Sequence, residues 1–373
     1  MYRERLASLD ILRGADMFLL LFWGPIFHRL CEVYPESTGW LARQTEHVAW
    51  EGFVLWDIIM PLFLFMSGVT IPFSMARYGR SAGVSRVRPD GRFYLRLLRR
   101  FCLLFFLGWI VQGNLLDFNW KEFHPFANTL QAIAVGYVVA ALLYVHLSFR
   151  WQVVAGLVLF AAYWVVFAAT GMNLDVQGNV AMLVDKAVLG AHRDGVLWAA
   201  DGSWAFDPHY QYTWILSSLN FVVTVLLGSF AGQLLRCERF SPSLRAGLVA
   251  IVGIGLVGLG LAISPLFPIV KKIWSSSMTL YSGGICCLLL ALTYWVVDVR
   301  GWHKALDWLK IYGMNAITAY CIGQVVRFTS VSQSLLHGFS GLSWYPVLIA
   351  FSNGCILFFI LWLLYRKRIF LRV

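Results

Sequence analysis

Apolar residues along the chain arrive in runs of about 20, the length a helix needs to cross a hydrocarbon core. Ten such runs are set off by polar breaks, at 15–33, 51–75, 101–117, 128–147, 152–171, 213–235, 246–268, 277–298, 307–327 and 345–365. They predict an all-α fold, a polytopic membrane helix bundle of about ten transmembrane helices in one domain spanning 1–373. Most breaks are short, as antiparallel neighbours require; segments 34–50, 77–100 and 172–212 are longer. In the last, Val180, Leu183, Val184, Ala187 and Val188 follow the spacing of an amphipathic helix, predicted to lie on the membrane surface or cap the bundle. Arg3, Arg5 and Arg13 precede the first run, but Asp10 and Asp16 interrupt it and no small-residue cleavage site follows, so it reads as a retained first helix.

Composition agrees with the pattern. Of 373 residues, 59% are hydrophobic and 13% charged, and mean hydropathy is +0.69; soluble domains carry about 25% charged residues. The net charge of +11 reads as topology rather than nucleic-acid binding. With the N- and C-terminus in the cytoplasm, 22 of the 30 Lys and Arg residues fall on that side, as the positive-inside rule demands. The segments 34–50 and 172–212 then face a periplasm, the basic loop 77–100 faces the cytoplasm, and 11 of the 19 acidic residues lie outside.

Several chemistries lose their usual signals. The seven cysteines sit mostly in or beside apolar runs, where a thiol acts as a small hydrophobe, and imply no disulfide framework. No Gly-x-Ser-x-Gly elbow, P-loop, paired CxxC or HExxH occurs, and no metal site is expected. Gly253, Gly255 and Gly258 spell GxGxxG without a preceding strand; close helix packing explains them better than a dinucleotide.

Two residues stand out. Asp57, about seven positions into the second run, puts a carboxylate where insertion costs about 2.5–3.5 kcal/mol. Pro61 and Pro72 free the carbonyls of Asp57 and Gly68, which predicts a polar cleft along this span; a buried acid that only bonds neighbouring helices is the alternative. His47 precedes the run, and an imidazole there can take a proton or attack an acyl carbon. Glu51 at i+4 is positioned to orient it if the helix starts early. Ten residues between His47 and Asp57 make about 15 Å of helical rise, which places Asp57 along a channel rather than at the reacting carbon.

Ser8-Leu9-Asp10-Ile11-Leu12-Arg13-Gly14, His47-x-x-Trp50-x-Gly52, Asp57-x-x-x-Pro61, Leu130-Gln131, Leu227-Gly228 with Ala231-Gly232, the stretch from Phe267 to Ser277, Val297-Asp298-Val299 and Gly313-Met314-Asn315 occur in one register over 8–320. This register resembles the transmembrane acyltransferases typified by heparan-α-glucosaminide N-acetyltransferase. Gly24, Ala132 and Val270 depart from that pattern, standing where the family has Asn, Arg and Asn.

The resemblance implies a compact bacterial-type member, without the animal enzyme's lumenal domain, as a multi-pass protein of the cytoplasmic (inner) membrane. It would move an acetyl group from cytoplasmic acetyl-CoA, a co-substrate, to an amine or hydroxyl of a sugar or glycan on the far side. It implies His47 as general base or acyl acceptor, Arg13, Asp57, Lys271, Trp274, Ser275 and Asn315 as donor-binding residues, and a possible homodimer. Two rival classes remain: a proton-coupled transporter or exporter of a polar solute using Asp57, and a non-catalytic scaffold.

Overall fold

The computed structural model describes residues 6–79, 87–113, 115 and 118–371. Arg3, Arg5, Arg80, Arg86, Asp117 and Arg372 contribute to the charge asymmetry and lie outside the described residues. The chain opens with α1 (Ala7–Phe18), which runs through a π turn at Leu19–Trp23 into α2 (Gly24–Val33) and is followed by α3 (Pro35–Thr45). After an irregular stretch, a 3-10 turn at Leu55–Ile58 leads into α4 (Ile59–Val69) and α5 (Ile71–Ser74). Asp90 caps α6 (Gly91–Gln112) by accepting from the Phe93 N–H, and an Asn128–Gln131 capping box opens α7 (Thr129–His146). These caps satisfy backbone donors that a helix start leaves unpaired.

Next come α8 (Phe149–Ala169), α9 (Val180–Leu189) and an antiparallel hairpin of β1 (Val196–Trp198) and β2 (Trp204–Phe206), with Leu197 opposite Ala205. The rest is helical: α10 (Ser218–Leu235), α11 (Pro242–Ile263), α12 (Ser276–Tyr294), α13 (Leu309–Met314), α14 (Ala316–Val325), α15 (Thr329–Leu335) and α16 (Tyr345–Arg366). All ten expected runs fall on helices. Among the described residues, seven segments are long and apolar enough to cross a membrane. The other three are α1–α2, with Asp10 and Asp16; α6, whose first half carries Arg92, Arg96, Arg99 and Arg100; and α13–α14, broken at Asn315. The protein is a polytopic membrane helix bundle.

The centre of the bundle is set by backbone contact. A Cβ on Gly68 would lie 1.9 Å from the Val225 carbonyl oxygen, and one on Gly228 1.9 Å from that of Phe65, so α4 and α10 touch main chain to main chain. Without a hydrophobic drive between helices in lipid, such small-residue seams carry association through packing. Of the expected GxGxxG glycines, Gly253 does approach α12, where an added Cβ would lie 2.9 Å from the Gly284 oxygen, whereas Gly255 and Gly258 face open space. The outer rim is built by α8, α11 and α16, whose outward residues, such as Leu157, Ile251 and Phe359, stay exposed for lipid.

One sequence expectation changes here and another is refined. α9 forms where predicted: Val180 and Val184 pack in a cluster with Phe267, Val270 and Ile273, while Leu183 and Val188 point outward and Asp185 is buried. Its carboxylate accepts from the Trp214 N–H at 2.7 Å and the Ile215 N–H at 2.9 Å, so a polar contact joins the apolar one in docking the helix. Pro61 lies in the first turn of α4, where a missing N–H disrupts nothing, and so starts that helix rather than kinking it at depth.

Gly228→Ala forces α4 and α10 apart and should lower stability by about 1–3 kcal/mol, the usual penalty of overpacking. Gly255→Ala should leave it unchanged or slightly higher. Thermal unfolding of both variants in the same detergent measures the contrast.

Candidate functional site

Residues 46–54 do not continue a helix. Gly52, at φ +122°, takes a conformation open to glycine, and its N–H donates to the Ile269 carbonyl at 2.8 Å. This turn folds the chain back on itself. His47 and Asp57 are therefore in direct contact, Nδ1 to Oδ1 2.7 Å, instead of separated by a helical rise of about 15 Å. Asp57 sits in the opening 3-10 turn, where its Oδ2 accepts from the Val54 N–H at 3.1 Å, and a carboxylate is favoured at a helix N-terminus. It is 1% exposed. Glu51 is exposed and off any helix; Asp57 takes the orienting place expected of it.

Lys271 completes the cluster from the loop between α11 and α12. Its Nζ lies 3.2 Å from Asp57 Oδ1 and 3.2 Å from His47 Nδ1. Nδ1 cannot both donate to the carboxylate and accept from the ammonium. The shorter contact assigns the proton to Nδ1, leaving a neutral imidazole and the Lys271 ammonium as donors to one oxygen and Nε2 as the free lone pair. Burial pushes the Lys271 ammonium down to about 8, while Asp57 pulls it back up through its charge and hydrogen bond. Lys272 clamps the same loop by donating to the Ala49 carbonyl at 2.6 Å and to Gln211.

His47 and Lys271 open into a cavity of about 400 Å³, walled by Trp56, Met60, Phe63, Asn128, Thr129, Asp194, Tyr210, Tyr212, Trp214 and Tyr320 among others. Phe63, Thr129 and Tyr320 also line a second cavity of about 280 Å³ that holds Arg13, Ser67, Thr70 and Arg100. Arg100 in turn joins a third, of about 350 Å³, with Arg77, Arg96 and Arg99. The shared walls make a series of spaces beside α4, from an arginine-rich end to the imidazole.

The remaining sequence candidates separate into two groups. Arg13 lines the second cavity, 3.7 Å from Asp10 and with Nη1 donating to the Gly313 carbonyl at 3.5 Å. Asn315 is buried at the break between α13 and α14, where Gly313, Met314 and Ala316 border that cavity. Trp274 and Ser275 are buried behind the Lys271 loop. Trp274, at φ +52°, donates from Nε1 to Thr224 at 3.1 Å; Ser275 donates to the Pro268 carbonyl at 2.7 Å and accepts from the Val270 N–H at 3.0 Å. They shape the loop and do not reach the cavity walls. Gly24 has a local reason too: a Cβ there would lie 2.0 Å from the Trp56 indole, a cavity wall next to Asp57. Sequence reasoning missed Asp194, Tyr210, Tyr212 and Tyr320; the only signal for the first three was their place in the longest loop, rich in acids and aromatics. Among the described residues, no group of three or more His, Cys, Asp or Glu side chains is placed to hold a metal ion.

No protein-family model matches the chain. Heparan-alpha-glucosaminide N-acetyltransferase of Mus musculus is 22% identical over 87% of this chain and 54% of its own length; that of Homo sapiens is 24% identical over 85% and 52%. The chain spans about half the length of the curated relatives it matches and is distantly related to them.

Asp57→Ala strands a buried lysine and should cost about 3–5 kcal/mol, the penalty for removing one partner of a buried pair. Asp57→Asn, which still accepts from Val54, should cost less. Denaturant unfolding in detergent micelles ranks the two.

Proposed function

We propose that the protein is a membrane acetyltransferase that takes its acetyl group from acetyl-CoA at the arginine-rich end and passes it to an amine or hydroxyl of a sugar at the His47 end. The observation that carries this reading is an imidazole held by a buried carboxylate and opening on a cavity that shares walls with arginine-lined spaces. The distant relationship to proteins named as N-acetyltransferases supports the same class.

In this reading Arg13, Arg77, Arg96, Arg99 and Arg100 receive the nucleotide phosphates through charge-assisted hydrogen bonds. The flexible thioester arm enters past Phe63, Thr129 and Tyr320, whose apolar and hydroxyl surfaces suit its alternation of methylenes and amides. Asp57 keeps the Nδ1 proton in place and stabilises the imidazolium, so Nε2 is the working atom. It either removes a proton from the acceptor as that nucleophile attacks the thioester carbonyl, or attacks the carbonyl itself and carries the acetyl group. In the first route the C–S bond breaks and the thiolate takes the proton that His47 received from the acceptor; in the second the thiolate leaves as the bond to Nε2 forms, and takes up the proton that the acceptor sheds when it removes the acetyl group from Nε2. The Lys271 ammonium faces the charge that develops on the carbonyl oxygen.

The arginine-rich end then faces the cytoplasm, the His47 end faces the periplasm, and the protein resides in a bacterial inner membrane. A homodimer is compatible with this arrangement. The transporter reading is weaker, because Asp57 is committed to three donors at the mouth of the bundle instead of standing alone at its middle.

Acetyl transfer from labelled acetyl-CoA to a panel of amino and neutral sugars tests the reading. His47→Ala should abolish turnover while leaving acetyl-CoA binding within about twofold; residual turnover in this variant, or none in the native protein, contradicts it.

Because Lys271 loses its charge near pH 8, kcat/KM should fall as pH rises through that value. Lys271→Arg keeps the charge and should move the alkaline limb upward by at least one pH unit; a limb that stays in place contradicts the role of Lys271.

A further inference from the structure

Away from the His47 end, one stripe of α10 between α8 and α11 has no helix over it. From Asn220 to Leu235 every residue of α10 is buried except Leu227, Phe230, Gln233 and Leu234, whose spacing puts them on one face. All four line a groove of about 850 Å³, against about 400 Å³ for the His47 cavity. Phe149 of α8 and Val252 and Leu256 of α11 form its sides, and Cys287 of α12 closes its floor. The sides are fixed: Gln233 donates to Gln152 of α8 at 2.9 Å, and a Cβ on Gly253 of α11 would lie 2.9 Å from the Gly284 oxygen of α12. The groove is therefore preformed. Its rim residues Phe149 and Val252 are exposed, so it opens where lipid surrounds the bundle.

Its depth is that of one leaflet. Leu227 lies nine residues before Arg236, about 14 Å of helical rise, close to half of a hydrocarbon core of about 30 Å. Charges gather at the shallow end. The ends of α8, α10 and α11 there carry Arg150, Arg236, Arg239 and Arg245 against one acid, Glu238, and Trp151 is exposed next to Arg150, as an interfacial anchor would be. Arg236 is held in place by donating from Nη1 to the Pro72 carbonyl at 2.6 Å, and Arg245 is committed to the Leu235 and Phe240 carbonyls. The Arg239 guanidinium is exposed, lines the groove and bonds to no other described residue. Pro72 belongs to α5, just before the Ser74, Met75 and Arg77 that line the arginine-rich space, so the charged end of the groove lies at the arginine-rich face.

An apolar groove one leaflet deep, with guanidinium groups at headgroup level, matches a phospholipid of net negative charge. An acyl chain gains dispersion contacts along Phe149, Leu227, Phe230 and Val252, and the phosphate accepts charge-assisted hydrogen bonds from Arg236 and Arg239. A zwitterionic lipid offers the same chain, but its ammonium meets a cationic rim. A second copy of this chain is a poorer fit, because the lipid-facing helices α8, α11 and α16 contain no acid to meet the arginines. We infer that this groove is a binding site for one anionic phospholipid of the leaflet at the arginine-rich face. Such a site stands whether or not the protein moves acetyl groups.

Native mass spectrometry of the detergent-purified protein, titrated separately with phosphatidylglycerol, phosphatidylcholine of the same acyl chains and glycerol 3-phosphate, tests the site. The first phosphatidylglycerol should bind with a Kd about tenfold or more below that of phosphatidylcholine, and glycerol 3-phosphate should not be retained. Arg239→Gln should weaken phosphatidylglycerol binding about fivefold, the effect of one cation at an anionic headgroup, and leave phosphatidylcholine within about twofold. Val252→Trp, which fills the groove from an exposed position, should weaken both lipids. Equal affinities for the two lipids, a preference that survives Arg239→Gln, binding that survives Val252→Trp, or glycerol 3-phosphate held as tightly as phosphatidylglycerol overturns the assignment. So does a native dimer that Val252→Trp dissociates, since a second copy would then occupy the groove.

Discussion

One carboxylate oxygen organises the His47 end of this bundle. Asp57 Oδ1 meets both the His47 ring and the Lys271 ammonium, while Oδ2 closes the first turn of the helix that follows. A buried charge is tolerated only when its desolvation is offset by partners, and here the partners come from two distant stretches of chain. The loop before α4 and the loop before α12 must therefore dock against each other. Gly52 bonded to Ile269, and Lys272 bonded to Ala49, are the backbone side of the same docking. The contact that poises the imidazole is also the contact that closes the mouth of the bundle.

The rest of the molecule supports that mouth from below and above. Below, α4 and α10 meet through glycines with no side chain between them, which holds the wall that Met60 and Phe63 give to the cavity. The cavity then continues past Tyr320 to Arg13 and Arg100. Above, the segment 172–212 is tied down by Asp185 and Arg193 and sets tyrosines over the opening. In the proposed reading a charged, bulky donor enters at the arginine-rich end and a polar acceptor at the His47 end, with the shared walls of Phe63, Thr129 and Tyr320 between them.

Much of this was legible in the sequence, and the reasons for the exceptions are physical. Runs of apolar residues locate helices because a bilayer leaves the backbone no other way to satisfy itself, so all ten runs fell on helices. Asp57 could be singled out because an ionisable group is costly in hydrocarbon, His47 by its chemistry just before that run and by the resemblance, and Lys271 by the resemblance alone. Their mutual contact could not: counting residues assumes a continuing helix, and the turn at Gly52 replaces about 15 Å of rise by a hydrogen bond. The periodicity of α9 was legible, but not the burial of Asp185, which serves the Trp214 and Ile215 N–H groups brought to it by the fold. Trp274 and Ser275 were conspicuous in a motif, yet their place is behind the Lys271 loop. Asp194 carried no signal beyond its surroundings, because only the fold brings it to the imidazole.

The central claim is that an acetyl group travels through the bundle from one face of the membrane to an imidazole at the other. Sealed, oriented vesicles measure this directly, with acetyl-labelled acetyl-CoA supplied only at the arginine-rich face and an amino sugar enclosed only at the His47 face. The account predicts labelled sugar inside and coenzyme A left outside, with no label transferred when donor and acceptor share the His47 face. Label appearing only when both reactants share one face, or intact acetyl-CoA recovered from the far compartment, would contradict it.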